Sequence, residues 1–144
     1  MRRSVGITRV DPSLPLPRYA TEGAAGFDFL CRLDTTVQPH SIARIPANVV
    51  ICVPRDHVLV VALRSGTPAR KGLLSPGGIG VIDPDYCGPD DEIQIQVYNF
   101  TDQPVAVERG ERIAQGILVP SLICEWDEMD TSSERSRGGF GSTG

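Results

Sequence analysis

Four segments of this 144-residue chain set ionisable or hydroxyl side chains directly beside glycine or between aromatic rings. In "RSGTPARKG" (64–72), Arg64, Ser65 and Gly66 follow the apolar run "HVLVVAL". A cation, a hydroxyl and accessible backbone amides within three residues can grip phosphate oxygens, although a polar loop with a Gly turn accounts for the same letters. The spacing is not that of a P-loop. In "GGIGVIDPDYCG" (77–88), three glycines lead an apolar stretch into Asp83-Pro-Asp-Tyr86, a turn signal. So much glycine lets another molecule approach the backbone of a hairpin. In "AAGFDFLC", Asp28 lies between two phenylalanines and needs a partner if it is buried. By itself it reads as an edge-strand carboxylate bonded to a nearby amide. In "GERIAQG" (110–116), Arg112 and Gln115 read, one at a time, as polar residues of an edge strand.

The elements that must position these groups are strands. "IARIPANVVICVP" (42–54), "HVLVVAL" (57–63), "DEIQIQVYNF" (91–100) and "RIAQGILVP" (112–120) are rich in β-branched or alternating residues. In the third, Ile93, Ile95 and Val97 face one way and Gln94, Gln96 and Tyr98 the other. Helical periodicity is confined to a short stretch after Pro68. With 12 Pro and 15 Gly breaking the chain into short pieces, the expected fold is all-β, a sandwich or jelly roll of about five to eight short strands. Residues 1–120 form the expected β domain. From Ser121 the strand pattern fades into "EMDTSSERSRGGFGSTG", the composition of a flexible arm spanning 121–144.

Bulk properties exclude several classes. A net charge of −4 with no basic stripe argues against coating a nucleic-acid polymer. No apolar run has the length of a membrane-spanning helix, and the N-terminus has no signal-peptide core, which points by default to a cytoplasmic location. The four cysteines, at 31, 52, 87 and 124, lack metal-ligand spacing and read as reduced thiols.

Taken in order, "LPLPRYATEGAAGFDF", "RSG", "GVIDPDY", "GERIAQ" and "RGGFGSTG" resemble the trimeric deoxyuridine triphosphatase (dUTPase) family over nearly the whole chain. The resemblance implies a jelly-roll subunit and a homotrimer with three active sites at subunit junctions. It implies Mg²⁺-dependent hydrolysis of dUTP to dUMP and pyrophosphate, which limits uracil incorporation into DNA and supplies dUMP for thymidylate synthesis. It makes Asp83 the carboxylate that orients and activates the attacking water, and gives Asp28 waters of the Mg²⁺ shell to hold. Arg64, Ser65, Gly66 and Gln115 would contact the phosphates. Backbone groups from Gly80 through Ile82 to Asp83 would read uracil, and Tyr86 would stack under the deoxyribose and exclude a 2′-hydroxyl. The tail would close over the nucleotide, with Phe140 stacking on uracil and Arg135 reaching the γ-phosphate. An arm of this length reaches at most roughly 80 Å, enough to cross to a neighbouring subunit.

These residue types suit the reaction. Attack of water on the α-phosphorus needs alignment and charge neutralisation more than a strong base. An ionised carboxylate can hold that water. A related fold that deaminates dCTP needs a glutamate proton shuttle where this chain has Gln96, which cannot accept and return a proton. A binding module without catalysis would have no need of Asp83. Three departures from the family pattern stand out: Leu63 with Thr67-Pro68 around "RSG", Cys87 after Tyr86, and "PDDE" (89–92), which lengthens the loop by about three residues. The last reads as a tolerated surface insertion or as an acidic lip.

Overall fold

A computed structural model describes residues 3–131 and 134–141. Residues 1, 2, 132, 133 and 142–144, including the last three of "RGGFGSTG", lie outside the described residues. The chain runs through β1 (Gly6–Arg9), β2 (Arg18–Tyr19), β3 (Phe27–Asp28), β4 (Thr35–Val37), β5 (Ile42–Pro46), β6 (Val49–Cys52) and β7 (His57–Leu63). It continues through α1 (Thr67–Lys71), β8 (Leu73–Leu74), β9 (Gly80–Ile82), β10 (Gln94–Asn99), β11 (Val105–Val107) and β12 (Ala114–Pro120). The expected all-β class holds, and the expected short helix is α1, which starts at Thr67 and carries Pro68 in its first turn.

Twelve strands among the described residues exceed the expected number. The surplus consists of two- and three-residue strands such as β2, β3 and β8, too short to show any alternation in sequence. The run 42–54, read as one strand, is two. Asn48 breaks it by adopting a left-handed backbone, φ 68°. Its buried side chain is satisfied there: Oδ1 accepts from the Asp11 amide at 2.7 Å and Nδ2 donates to the Asp11 carbonyl at 3.1 Å.

All pairing is antiparallel, in the jelly-roll manner. The largest sheet has the order β2-β3-β12-β7-β9, and a three-stranded sheet β5-β10-β8 packs with the pairs β1-β6 and β4-β11 around one core. Phe29, Ile45, Leu59, Leu73, Ile95 and Val97 are fully buried in that core. The alternation in β10 is as expected, with Ile93, Ile95 and Val97 buried and Gln94 and Gln96 exposed. Strand β12 is central rather than an edge, lying between β3 and β7.

Two glycines set the spacing where β3 meets β12. A Cβ on Gly116 would lie 2.7 Å from the Phe27 ring and 2.9 Å from the Phe29 ring. A Cβ on Gly26 would lie 2.8 Å from Gln115 Oε1. Their absence lets Phe27 and Phe29 pack edge to face, centroids 5.3 Å apart, against the β12 backbone. That contact seats Asp28 opposite Gln115.

After Pro120 no strand or helix occurs among the described residues, and Leu122, Ile123, Trp126 and Phe140 are exposed. Among the described residues no helix is long and apolar enough to cross a membrane.

Candidate active site

Three adjacent strands bring charged groups to one end of the large sheet. Gln115 on β12 is the register partner of both Asp28 on β3 and Ala62 on β7. Cross-strand partners share a face, and Arg64 follows Ala62 by two residues at the end of β7. Asp28 is buried, and its carboxylate lies between two guanidiniums: Arg64 Nε is 3.2 Å from Oδ1 and Arg112 Nη1 is 3.2 Å from Oδ2. The expected amide partner is therefore replaced by a pair of arginines. The burial cost of the carboxylate is offset by two charge-assisted contacts.

The "RSG" loop beyond Arg64 is fixed by its backbone. The Arg64 amide donates to the Ile113 carbonyl at 2.9 Å, and the buried Thr67 hydroxyl donates to the same oxygen at 2.7 Å. The Thr67 amide donates to the Arg64 carbonyl at 2.9 Å, closing the turn into α1. Arg64, Ser65, Gly66, Arg70, Lys71 and Arg112 line a groove of about 220 Å³. Lys71 is committed to Glu111 Oε1 at 2.7 Å, whereas Arg70 faces the groove over Gly66 with no acidic partner among the described residues. A groove of this charge can accept a polyanion.

The glycine-rich segment occupies another part of the same sheet. Gly80 faces Val61 and Ile82 faces Leu59 in the β7–β9 pair. Asp83 therefore falls beyond Leu59 in the register, six residues from Arg64 along β7, or about 20 Å. Within one chain Asp83 does not meet Arg64, Ser65, Gln115 or Asp28. The segment is also not a hairpin. Strand β9 pairs with β7, while the next strand, β10, pairs with β5 and β8. Its glycines form a turn at 75–79, with the Gly78 amide donating to the Ser75 carbonyl at 3.1 Å. A small hollow of about 100 Å³ lies beside them, lined by Gly77, Ile79, Gly80, Gln94 and Gln96 among others. Asp83 and Tyr86 are exposed across a turn closed by Tyr86 N–H donating to the Asp83 carbonyl at 3.2 Å.

The chain matches the dUTPase family model over residues 13–144. It is 41% identical over 145 aligned positions to the deoxyuridine 5′-triphosphate nucleotidohydrolase of Desulfitobacterium hafniense, covering 97% of this chain and 94% of that one. The Lactococcus lactis enzyme of the same name is 39% identical over 132 positions, covering 90% and 87%. This chain belongs to the dUTPase family. The crystal structure of dUTPase from Streptococcus mutans superposes with a TM-score of 0.78 at 34% identity, covering 84% of this chain and 99% of that one.

Against the dUTPase motifs, the structure groups Asp28, Arg64, Ser65, Gly66 and Gln115 at one end and Gly80, Ile82, Asp83 and Tyr86 at another, with Arg135 and Phe140 on the extension after Pro120. Sequence reasoning missed two groove residues. Arg112 is exposed, as expected of a surface residue, but its guanidinium also lines the groove beside Asp28, a contact that its spacing in sequence does not show. Arg70 lies four residues after Gly66, one helical turn, so a helix starting at Thr67 would have aimed it back over the glycine. The cysteines also differ from expectation. Cys52 and Cys87 form a disulfide with Cα atoms 5.1 Å apart, Cys31 is a buried free thiol, and Cys124 is free and exposed. The topology brings the end of β6 beside the turn after Tyr86, a proximity with no trace in sequence spacing.

Proposed function

We propose that this chain hydrolyses dUTP to dUMP and pyrophosphate as a homotrimer, each site assembled at a junction between subunits. The observation that carries this reading is the register of β7, which holds the cationic groove and Asp83 about 20 Å apart in one chain. A second copy must bring its Asp83 to the groove of the first, and a closed symmetric trimer supplies that for every site.

In this site Arg64, Ser65 and the Gly66 amide bind phosphate oxygens, with Gln115 beside them. Uracil rests on the backbone at Gly80–Ile82, where a thymine methyl has no room and the amino edge of cytosine meets the wrong donor and acceptor order. Tyr86 covers the deoxyribose face. Asp83 accepts a hydrogen bond from the attacking water and aligns it with the α-phosphorus, taking its proton as the phosphorus–oxygen bond to pyrophosphate breaks. The arm of 121–144 closes the site, Phe140 stacking on the base and Arg135 reaching the γ-phosphate.

The family implies Mg²⁺, and the residues fit it in one way. No cluster of three or more metal-binding side chains occurs among the described residues, and Asp28 already carries two arginines. A hard cation that keeps most of its waters and takes its direct ligands from the triphosphate suits a single nearby carboxylate, so Asp28 would hold it through water. When bound, Mg²⁺ neutralises phosphate charge. The substrate of this reading is the free nucleotide, hydrolysed in the cytoplasm.

The direct test incubates the protein with Mg²⁺ and, separately, dUTP, dCTP, dTTP and UTP, with products resolved by chromatography. Formation of dUMP and pyrophosphate from dUTP alone is the expected result. Asp83→Asn is expected to retain dUTP binding without turnover. Deamination of dCTP, or binding of dUTP by the wild type with no turnover, would overturn the assignment.

A further inference from the structure

The turn that carries Asp83 and Tyr86 has little backbone pairing of its own. It is tied to the body of the protein by the residues that follow it. Cys87, next to Tyr86, is disulfide-bonded to Cys52, the last residue of β6. Tyr86 Oη donates to the Glu92 carbonyl at 3.1 Å. The Glu92 carboxylate accepts from Arg32 through Nε at 2.8 Å and Nη2 at 2.9 Å, and from the Asn48 amide at 2.9 Å. Its side chain is largely buried there. In the segment 89–92, Pro89 and Asp90 are exposed, as expected of a surface insertion, while Glu92 turns inward. Asp91 closes it by accepting from the Gly88 amide at 2.6 Å, while its own amide donates to the Gly88 carbonyl at 3.1 Å.

We propose that the Cys52–Cys87 bond and the Glu92 anchor are positioning groups for the Asp83–Tyr86 turn, and that a dithiol, by opening the bond, loosens sugar discrimination at the site. The proposal rests on the dUTPase reading of Tyr86. Both links lie on the C-terminal side of Tyr86. The bond grips the backbone one residue on, and Glu92 grips the phenol. Losing the bond leaves the phenol on a turn held by two uncharged hydrogen bonds and by the distant Glu92 side chain.

Cys52 is exposed, so a small thiolate can reach its sulfur. Attack by one thiolate of the dithiol on Cys52 Sγ breaks the Sγ–Sγ bond and releases Cys87, which takes up a proton. The second thiol then closes on the first, expels Cys52 as a thiol, and leaves the dithiol as a cyclic disulfide. Two electrons and two protons pass from dithiol to protein. Cys31 takes no part, because it is fully buried and desolvation pushes its thiol up to about 12. Disulfides in reducing compartments are characteristically transient, which suits a bond that sets a site rather than one that holds a fold.

The test uses the full chain carrying Cys124→Ser, which removes the exposed arm thiol from exchange. The air-oxidised and dithiothreitol-reduced forms are compared by intact mass, by hydrogen exchange of residues 83–92, and by kcat/KM for dUTP and UTP. Reduction is expected to add two hydrogens, speed exchange in 83–92 by about tenfold, and raise the UTP-to-dUTP ratio of kcat/KM by about tenfold. Cys87→Ser should behave as the reduced form and ignore dithiothreitol, and Glu92→Gln should shift the ratio the same way in the oxidised form. General loss of folded protein cannot produce the change in ratio, since both substrates report on the same active molecules. Free thiols at 52 and 87 in air-oxidised protein, or identical exchange and ratio in the two forms, would overturn the proposal. If the oxidised protein turns over no dUTP at all, the dUTPase reading has failed, and the sugar-discrimination proposal falls with it whatever the exchange shows.

Discussion

Arg64 reaches Asp28 across the end of the large sheet, Nε to Oδ1 at 3.2 Å, and Arg112 takes the other carboxylate oxygen at the same distance. One buried anion thus pairs with two cations that line the groove. Asp28→Asn leaves both guanidiniums without their counter-charge. Because both arginines are partly exposed and screened, the expected loss is about 1–3 kcal/mol, below that of a fully buried pair. Urea denaturation measures it. The same variant should need more Mg²⁺ for half-maximal turnover. Unchanged stability together with an unchanged Mg²⁺ requirement would remove Asp28 from both roles.

The separation of Arg64 and Asp83 along β7 makes a sharper prediction. Arg64→Ala and Asp83→Asn should each abolish turnover as homotrimers. Unfolded together and refolded as mixed trimers, they should regain activity, because some junctions then combine an intact Arg64 from one chain with an intact Asp83 from another. Random assortment of equal amounts restores about one quarter of the sites. No recovery after demonstrated subunit exchange would mean that each chain completes its own site.

Much of this site was legible before the fold was known. "RSG", "GVIDPDY" and "GERIAQ" combine glycine with charge in patterns that ordinary turns do not need, and the alternation in 91–100 gave both the strand and its buried face. What sequence could not supply were relations between distant residues. Asp28 looked like a carboxylate awaiting an amide because its partners lie 36 and 84 residues away, brought in only by the register of β3, β12 and β7. Asn48 hid a strand break, since its left-handed backbone is fixed by contacts to the distant Asp11 and Glu92. The pairing of Cys52 with Cys87 depends on topology alone.

Arg70 offers the groove a cation with no acidic partner among the described residues. Arg70→Gln should raise the KM for dUTP by about tenfold, the scale of one lost charge-assisted hydrogen bond. Product inhibition by dUMP, which lacks the outer phosphates, should stay as it was. Arg70→Lys should recover part of the loss. Equal weakening of dUTP and dUMP would place Arg70 near the base or sugar.

Acid sensitivity has an identifiable source away from the site. The Arg109 guanidinium at 2.8 Å, with the Ser13 hydroxyl and amide, holds the Asp11 carboxyl well below the usual carboxylate range. The Arg3 guanidinium and His57 do the same for Asp56. A depressed carboxylate favours the fold above its unfolded value, and that contribution fades as pH falls through the folded value. Stability should therefore decline below about pH 4. Asp11→Asn should be less stable than wild type at pH 7 and converge on it toward acid, measured by thermal melts across the range. Parallel curves at all pH values would show that the charge contributes nothing.

The extension after Pro120 gives the cleanest separation of fold from function. Phe140 is fully exposed, and no strand or helix follows β12 among the described residues, so no strand of the core is removed with the tail. Deleting residues 135–144 should leave stability within about 0.5 kcal/mol of wild type, as for surface changes generally. On the proposed closure of the arm, which would supply both alignment and a charge on the γ-phosphate, it should cut kcat/KM for dUTP by about 100-fold. Phe140→Ala should weaken substrate binding and Phe140→Trp should largely preserve it, which separates stacking from bulk hydrophobicity. Full activity in the truncated protein would mean that a glycine-rich ending with an aromatic at its centre has no part in the reaction, and the phosphates would have to be held by the groove alone.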